Sequence, residues 1–444
     1  MFNKYLHIIL LTLGILIVNL FPSFFLIPWT YFLLDTWFAP FTEFKWFFDT
    51  SIYWHLQSLL SYIFWYALYS KLYMLVVVFI WIFTWLLLSK FVSLLFPNFK
   101  SKWLDVVAIM VMTYNPFIYE RIISQTGIAL GTYMIMIWLL LLLISSLSKT
   151  KNTLNYIWAS FALGFAWMIY PHAILLIALV LGTISIIYYK NIWKYILVGI
   201  GIMLLNFNWL IWDYVLDTNT RASALETFNR ANIEVFQWNS LSGLGVEITH
   251  LLGYGFWGEK YHISSPDDIM KYWYIFWFMI VGIVIYWWYK MYSSNRKITI
   301  TLWFIGAISY ILALGISSNI FWFISEFLYE NVSFYIGMRE PQKWLWITQI
   351  VYMIFLCIWS MYIIKSIIGI KYLRLWALLI VILPVLRTPN SIIGYWGQLN
   401  ISDYPDDVFE AKNYIQENTQ ANNVYLNLPW HSYMGCARTY GKIT

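Results

Sequence analysis

WLWITQIVYMIFLCIWSMYIIKSII, residues 344–368, decides the fold. The run is apolar on every side, softened inside only by Thr348, Gln349 and Ser360. It is long enough to cross a bilayer core of about 30 Å, which takes about 20 residues of helix. On one side it is entered through Met338-Arg339-Glu340-Pro341-Gln342-Lys343, and on the other it leaves through Lys365 into a short basic connector.

The same kind of run recurs in both directions from it. Reading outward, the spans fall at 6–28, 72–96, 103–117, 127–147, 154–170, 172–189, 194–214, 272–290, 298–316, 344–368 and 374–388, eleven in all. The run at 53–71 carries His55 and Gln57 and is expected to lie in the interface instead. The first span is expected to be a retained anchor rather than a cleaved signal. The fold class that follows is an all-α polytopic membrane protein. A chain that is 61% hydrophobic and 11% charged cannot be a soluble domain, where about a quarter of residues carry charge. Its 28 Trp, 35 Tyr and 32 Phe suit two membrane–water interfaces. Cys357 and Cys436 form neither a disulfide framework nor a metal cluster.

The charges then fix an expected orientation. With the N-terminus inside, fourteen of the 27 basic residues, among them Lys90, Lys100, Lys102, Lys149 and Lys151, fall on the inner side together with a single acid, Asp105. These bases occupy short connectors, where the positive-inside rule holds best. The net charge of +6 thus divides into a strongly basic inner face and a net acidic outer face, and calls for no nucleic-acid partner. The N-terminus is expected to be cytoplasmic and the C-terminus extracytoplasmic, in a cell membrane.

The inner connectors are short, whereas the outer segments 29–71, 117–126, 215–271 and 317–343 are long and aromatic, so function is expected at the outer face. Residues 1–388 form the membrane module. After Pro389 the composition changes, and SDYPDDVFEAKNYIQEN followed by NVYLNLPW reads as a helix and a strand. One of each cannot bury a core, so 389–444 is expected to be an incomplete extracytoplasmic α/β segment.

Several groups on the outer side can carry chemistry. Asp35, Glu43 and Asp49 follow the first span among aromatics. A carboxylate held against an apolar wall can act as a general base, and the plain alternative is a water-facing acid. In the 338–343 stretch, Pro341 suits a first helical position. Lys343, with Arg339 before it, opposes the helix dipole unless an anion sits there; an Arg339–Glu340 pair with Lys343 reaching to the surface is the competing reading. In Tyr114-Asn115-Pro116-Phe117-Ile118-Tyr119-Glu120-Arg121, Asn-Pro breaks the third span and delivers Glu120 and Arg121 to its outer end, beside a cavity or in a simple hairpin. His172, after Pro171 in a tight outer turn, either donates to a phosphate or is structural. The 215–271 segment, with Glu226, His250 and Glu259, lacks HExxH, P-loop or GxGxxG spacing. Asn331-Val-Ser333 and Asn400-Ile-Ser402 match the glycosylation sequon.

The pattern resembles the GT-C superfamily of polytopic glycosyltransferases. YNPFIYERIISQTG and GMREPQKW are similar to stretches of its YfhO-like branch, and YWGQLNISDYPDD with VYLNLPWHSYM to the start of that branch's extracytoplasmic domain. The resemblance implies a polyprenyl-phosphate-linked sugar as donor and an extracytoplasmic glycan, lipid or protein as acceptor. By position the catalytic carboxylate falls on Asp35, with Asp49 in reserve. Arg339 and Lys343, with Arg121 and His172, would hold the lipid phosphate, and Glu120 and Glu340 would contact substrate. No cofactor is demanded; a divalent metal stays open, although the first outer loop lacks a DxD or adjacent acidic pair. Transport or flipping of a lipid-linked or anionic solute, and a noncatalytic polymer-assembly or export role, are the alternatives.

Overall fold

The computed structural model describes residues 15, 66–124, 126–147, 153–169, 173–188, 192–207, 243–255, 274–368, 374–392, 410 and 414. Among them the protein is mostly helical and contains no strand. The helices are α1 (Tyr66–Leu95), α2 (Lys102–Thr113), α3 (Pro116–Ser124), α4 (Thr126–Leu147), α5 (Thr153–Ile169), α6 (Ala173–Ile187) and α7 (Ile192–Leu205). They continue as α8 (Val246–Leu251), α9 (Tyr274–Ser294), α10 (Arg296–Ala313), α11 (Trp322–Asn331), α12 (Leu345–Ile367) and α13 (Arg374–Ile382). Short 3-10 turns at Pro341–Trp344, Leu383–Arg387 and Pro389–Ser391 flank the last two.

Among the described residues, three helical stretches are long and apolar enough to cross a membrane: Val78–Leu95, Arg296–Ala313 and Pro341–Ile367. They differ in how far the protein surrounds them, with 83% of the last buried against 50% and 44% for the other two. A helix apolar all round belongs in an interior, and α12 is that helix. It packs against α1, α2, α3, α9, α10 and α13. By contrast α1 and α10 turn Phe79, Phe83, Trp303 and Phe304 outward.

Small residues and hydroxyls let the helices approach closely, as expected where lipid-like surroundings supply no hydrophobic drive between them. Gly306 of α10 lies under Val351 of α12, and its carbonyl accepts the Thr348 hydroxyl at 3.1 Å. Gly164 of α5 leaves room for Leu205 of α7, where Asn206 Nδ2 donates to the Gly164 carbonyl at 3.1 Å.

Three expected boundaries change. The stretch 66–71, expected to belong to an interfacial segment, is the first part of α1, which runs unbroken to Leu95. The expected outer loop 117–126 is largely helix α3, because Asn115 starts a new helix as soon as Pro116 ends the old one. Likewise, 317–343 contains α11 and two 3-10 segments instead of open loop. Of the tail, only 389–392, 410 and 414 are described, so its expected strand lies outside the described residues.

Candidate functional site

The site begins at the break between α2 and α3. Tyr114 leaves the helical region at φ −95°, ψ 68°. Asn115 Oδ1 then accepts the amides of Phe117 at 3.0 Å and Ile118 at 3.4 Å. That is an N-cap, with Pro116 at the first position where its missing N–H is harmless. The restarted helix carries Glu120 and Arg121, both essentially inaccessible. The Arg121 guanidinium lies over the Phe117 ring at 5.0 Å, and Phe117 stacks on Trp346 of α12 at 5.3 Å. Trp346 in turn donates its indole N–H to the Thr132 carbonyl at 2.7 Å. A chain of rings therefore holds the charged end of α3 against the central helix.

The second sequence motif meets the first here. Pro341 opens a 3-10 turn that leads into α12, with Glu340 extended before it at φ −97°, ψ 80°. Glu340 Oε2 lies 3.5 Å from Lys343 Nζ and 4.0 Å from Arg121 Nη1. Lys343 is 3% exposed, so it does not reach to the surface as the competing sequence reading had it. Its conflict with the helix N-terminus is relieved by the Glu340 carboxylate. Glu120 Oε1 accepts the Gly255 amide at 3.3 Å. Both acids named as substrate contacts are thus engaged by the chain itself.

Sequence reasoning missed the other half of the site. Arg387, at the end of the 3-10 turn after α13, is fully buried. Its Nη2 donates to Gln349 Oε1 at 2.6 Å, and its guanidinium lies 4.3 Å from the centroid of the Trp277 ring. Asn115 Nδ2 donates to the same Gln349 oxygen at 3.4 Å. The Tyr254 hydroxyl donates to the Arg387 carbonyl at 2.6 Å. A lone arginine closing an apolar run, followed by Thr-Pro, was the available signal, since an ionisable group at membrane depth is costly and is kept for a reason.

The segment 243–255 closes the site from the side. Gly253, at φ +94°, runs so close over the Gln349 carboxamide that a Cβ there would overlap it. Glu247 Oε1 accepts the Asn319 amide at 2.7 Å and the Ser318 hydroxyl at 3.1 Å. Although burial opposes it, these donors hold the Glu247 carboxyl below the usual carboxylate range. His250 is buried, with Nδ1 3.1 Å from the Val246 carbonyl. Burial pushes its pKa down to about 4, against the opposing pull of that carbonyl, Glu247 and the Ala313 carbonyl, so the ring is neutral at pH 7.

The structure therefore brings together Arg121, Glu340 and Lys343, with Arg339 half-buried next to Glu340 in the chain, while Glu120, next to Arg121 on α3, accepts the Gly255 amide. Asp35, Asp49 and His172 lie outside the described residues. Among the described residues, no three His, Cys, Asp or Glu side chains group as metal ligands. What the arrangement offers chemically is three buried cations: Arg121 and Lys343 beside Glu340, and Arg387, whose guanidinium donates to the Gln349 amide oxygen. Compared with family models, curated proteins and solved structures, the chain matches none.

Proposed function

We propose that the chain is a membrane glycosyltransferase of GT-C type, moving a sugar from a polyprenyl-phosphate-linked donor to an extracytoplasmic glycan, lipid or protein acceptor. Its eleven spans, inner N-terminus and extracytoplasmic α/β tail belong to the same proposal. One observation supports it most: the two stretches that carry the resemblance, 114–127 and 337–344, meet through Arg121 and Glu340 at 4.0 Å, in a buried setting rich in cations.

A leaving polyprenyl phosphate gains negative charge as the sugar departs. Fixed cations in a water-poor place stabilise such charge far better than they could in water. Arg339 and Lys343, with Arg121 behind them, take that role. Asp35 removes the acceptor's proton, and Asp49 is the reserve. Glu340 sets the position of Lys343 and keeps the pair from being an uncompensated buried charge.

The test is transfer of labelled sugar from a lipid-linked donor by the purified protein, wild type beside Asp35→Asn and Lys343→Met. Loss of about two to four powers of ten in rate is expected for a missing base. Undiminished transfer by Asp35→Asn removes that residue from the mechanism, and no transfer by the wild type sinks the reading. Complete burial of Arg121 and Arg387 gives the transport reading one point in its favour, because ionisable groups deep in a bundle mark solute paths. Flux of a lipid-linked anion across vesicles carrying the protein, without sugar transfer, would decide for it.

A further inference from the structure

Two buried cations of the site have an acid within 4.0 Å: Lys343 and Arg121 share Glu340. Arg387 does not. Its surroundings are the Gln349 amide oxygen, the Trp277 ring, and the Tyr254 and Tyr352 phenols, all formally neutral. Taking a guanidinium out of water costs several kcal/mol, and neither one amide bond nor one ring contact offsets that.

Arg387, the Gln349 it is bonded to, and the turn that follows it in the chain share a second property. Arg387 Nε and Nη1, Gln349 Nε2, Thr388 Oγ1 and Ser391 Oγ are all buried and have no hydrogen-bond partner among the described residues. Buried polar atoms are nearly always paired, so each calls for an explanation. Here they cluster. Arg387 and Gln349 are bonded to each other, and Thr388 and Ser391 belong to one turn, in which the Ser391 amide donates to the Thr388 carbonyl at 2.9 Å. Every one of the five can donate a hydrogen bond. Donors on a cation with no acid within 4.0 Å among the described residues, on its bonded amide and on the turn after it are complementary to an anion with several oxygens. The set also spans a helix, α12, and the turns that follow α13, so it exists only once these elements have packed.

We propose that Arg387, Gln349, Thr388 and Ser391 form a second oxyanion-binding site, for a phosphate group, separate from the Arg121–Glu340–Lys343 chain. The phosphate comes either from a polyprenyl phosphate or from free phosphate. The proposal rests on the transferase reading only for the lipid source; the binding itself does not need transfer to occur.

The experiment uses the full chain in lipid nanodiscs. Binding of inorganic phosphate and of a polyprenyl monophosphate is measured directly and through the rise in Tm, against chloride at equal ionic strength. Wild type should bind at least one of the two, and Arg387→Gln should bind it about tenfold more weakly. Without added anion, Arg387→Gln should melt no lower than wild type, because a buried charge without an acid has been removed. Equal anion stabilisation in wild type and Arg387→Gln overturns the site, as does no response of the wild type to either probe. If Arg387→Gln does not fold, Ser391→Ala replaces it; weaker binding supports the site and unchanged binding overturns it. Response to the lipid alone assigns the headgroup as source, and response to inorganic phosphate alone assigns the free ion. Arg387-dependent binding without sugar transfer sinks the transferase reading and leaves the site standing. Transfer with no such binding does the reverse.

Discussion

Glu340 Oε2 stands between two cations, 3.5 Å from Lys343 and 4.0 Å from Arg121. It joins the turn before α12 to the restarted helix α3, and it makes the burial of both bases tolerable.

Removing that carboxylate should therefore be costly. Glu340→Gln removes the carboxylate that two buried bases share and is expected to lower stability by about 3 kcal/mol. Lys343→Met placed on top should recover part of that loss, since one stranded charge goes with it. Thermal denaturation of the two single variants and the double variant checks this. Simple additivity would mean that the residues do not interact.

Gly253 is fixed by two constraints at once, a positive φ and the Gln349 carboxamide beneath it. Gly253→Ala is expected to cost about 1–3 kcal/mol and to push Gln349 away from Arg387. A melting temperature unchanged from wild type would show that the segment yields instead.

Asn115 caps α3 with its side-chain oxygen and steadies Gln349 with its nitrogen. Asn115→Ala should lose about 1 kcal/mol of cap and leave α3 less protected in hydrogen exchange. Asn115→Asp keeps the acceptor and should retain the cap. Equal loss in both variants would assign the effect to the Gln349 contact.

Acid should loosen the 243–255 segment first. The His250 pKa lies at about 4 in the folded protein against 6.5 for the free side chain, so the unfolded chain takes up the proton first. The stabilisation from the neutral ring is complete above pH 6.5 and is lost as pH falls towards 4, on the order of 3 kcal/mol in total. Glu247, held below the usual carboxylate range, adds loss of the same sign in acid. Melting curves across this range should be flatter for His250→Gln than for wild type; parallel curves would remove His250 as the cause.

Some of this was legible before any coordinates. Proline after a polar residue marks a forced change of backbone, and both motifs chosen on that ground, Asn115-Pro116 and Glu340-Pro341, lie at helix starts in the buried centre. Their meeting was not legible, because nothing local in either stretch encodes a contact with the other. Hydropathy misread α3 as loop, since a short capped helix carrying Glu120 and Arg121 looks like a charged connector when its burial is unknown. Arg387 went unremarked for a related reason: a basic residue at a span end is ordinary when it faces water, and only packing shows that it does not. Gln349 was visible as an amide within a span, but its two donors lie 234 residues before it and 38 after.

Those separations bear on how the protein is made. The central helix carries Gln349, whose partners Asn115 and Arg387 sit on segments synthesised earlier and later. Helices enter a bilayer before they associate. Gln349 thus waits for Arg387 through the synthesis of the rest of α12 and all of α13. Assembly of the polar centre is therefore a late event in biogenesis, and a chain halted before residue 387 would hold its hub helix in place with that centre still unformed.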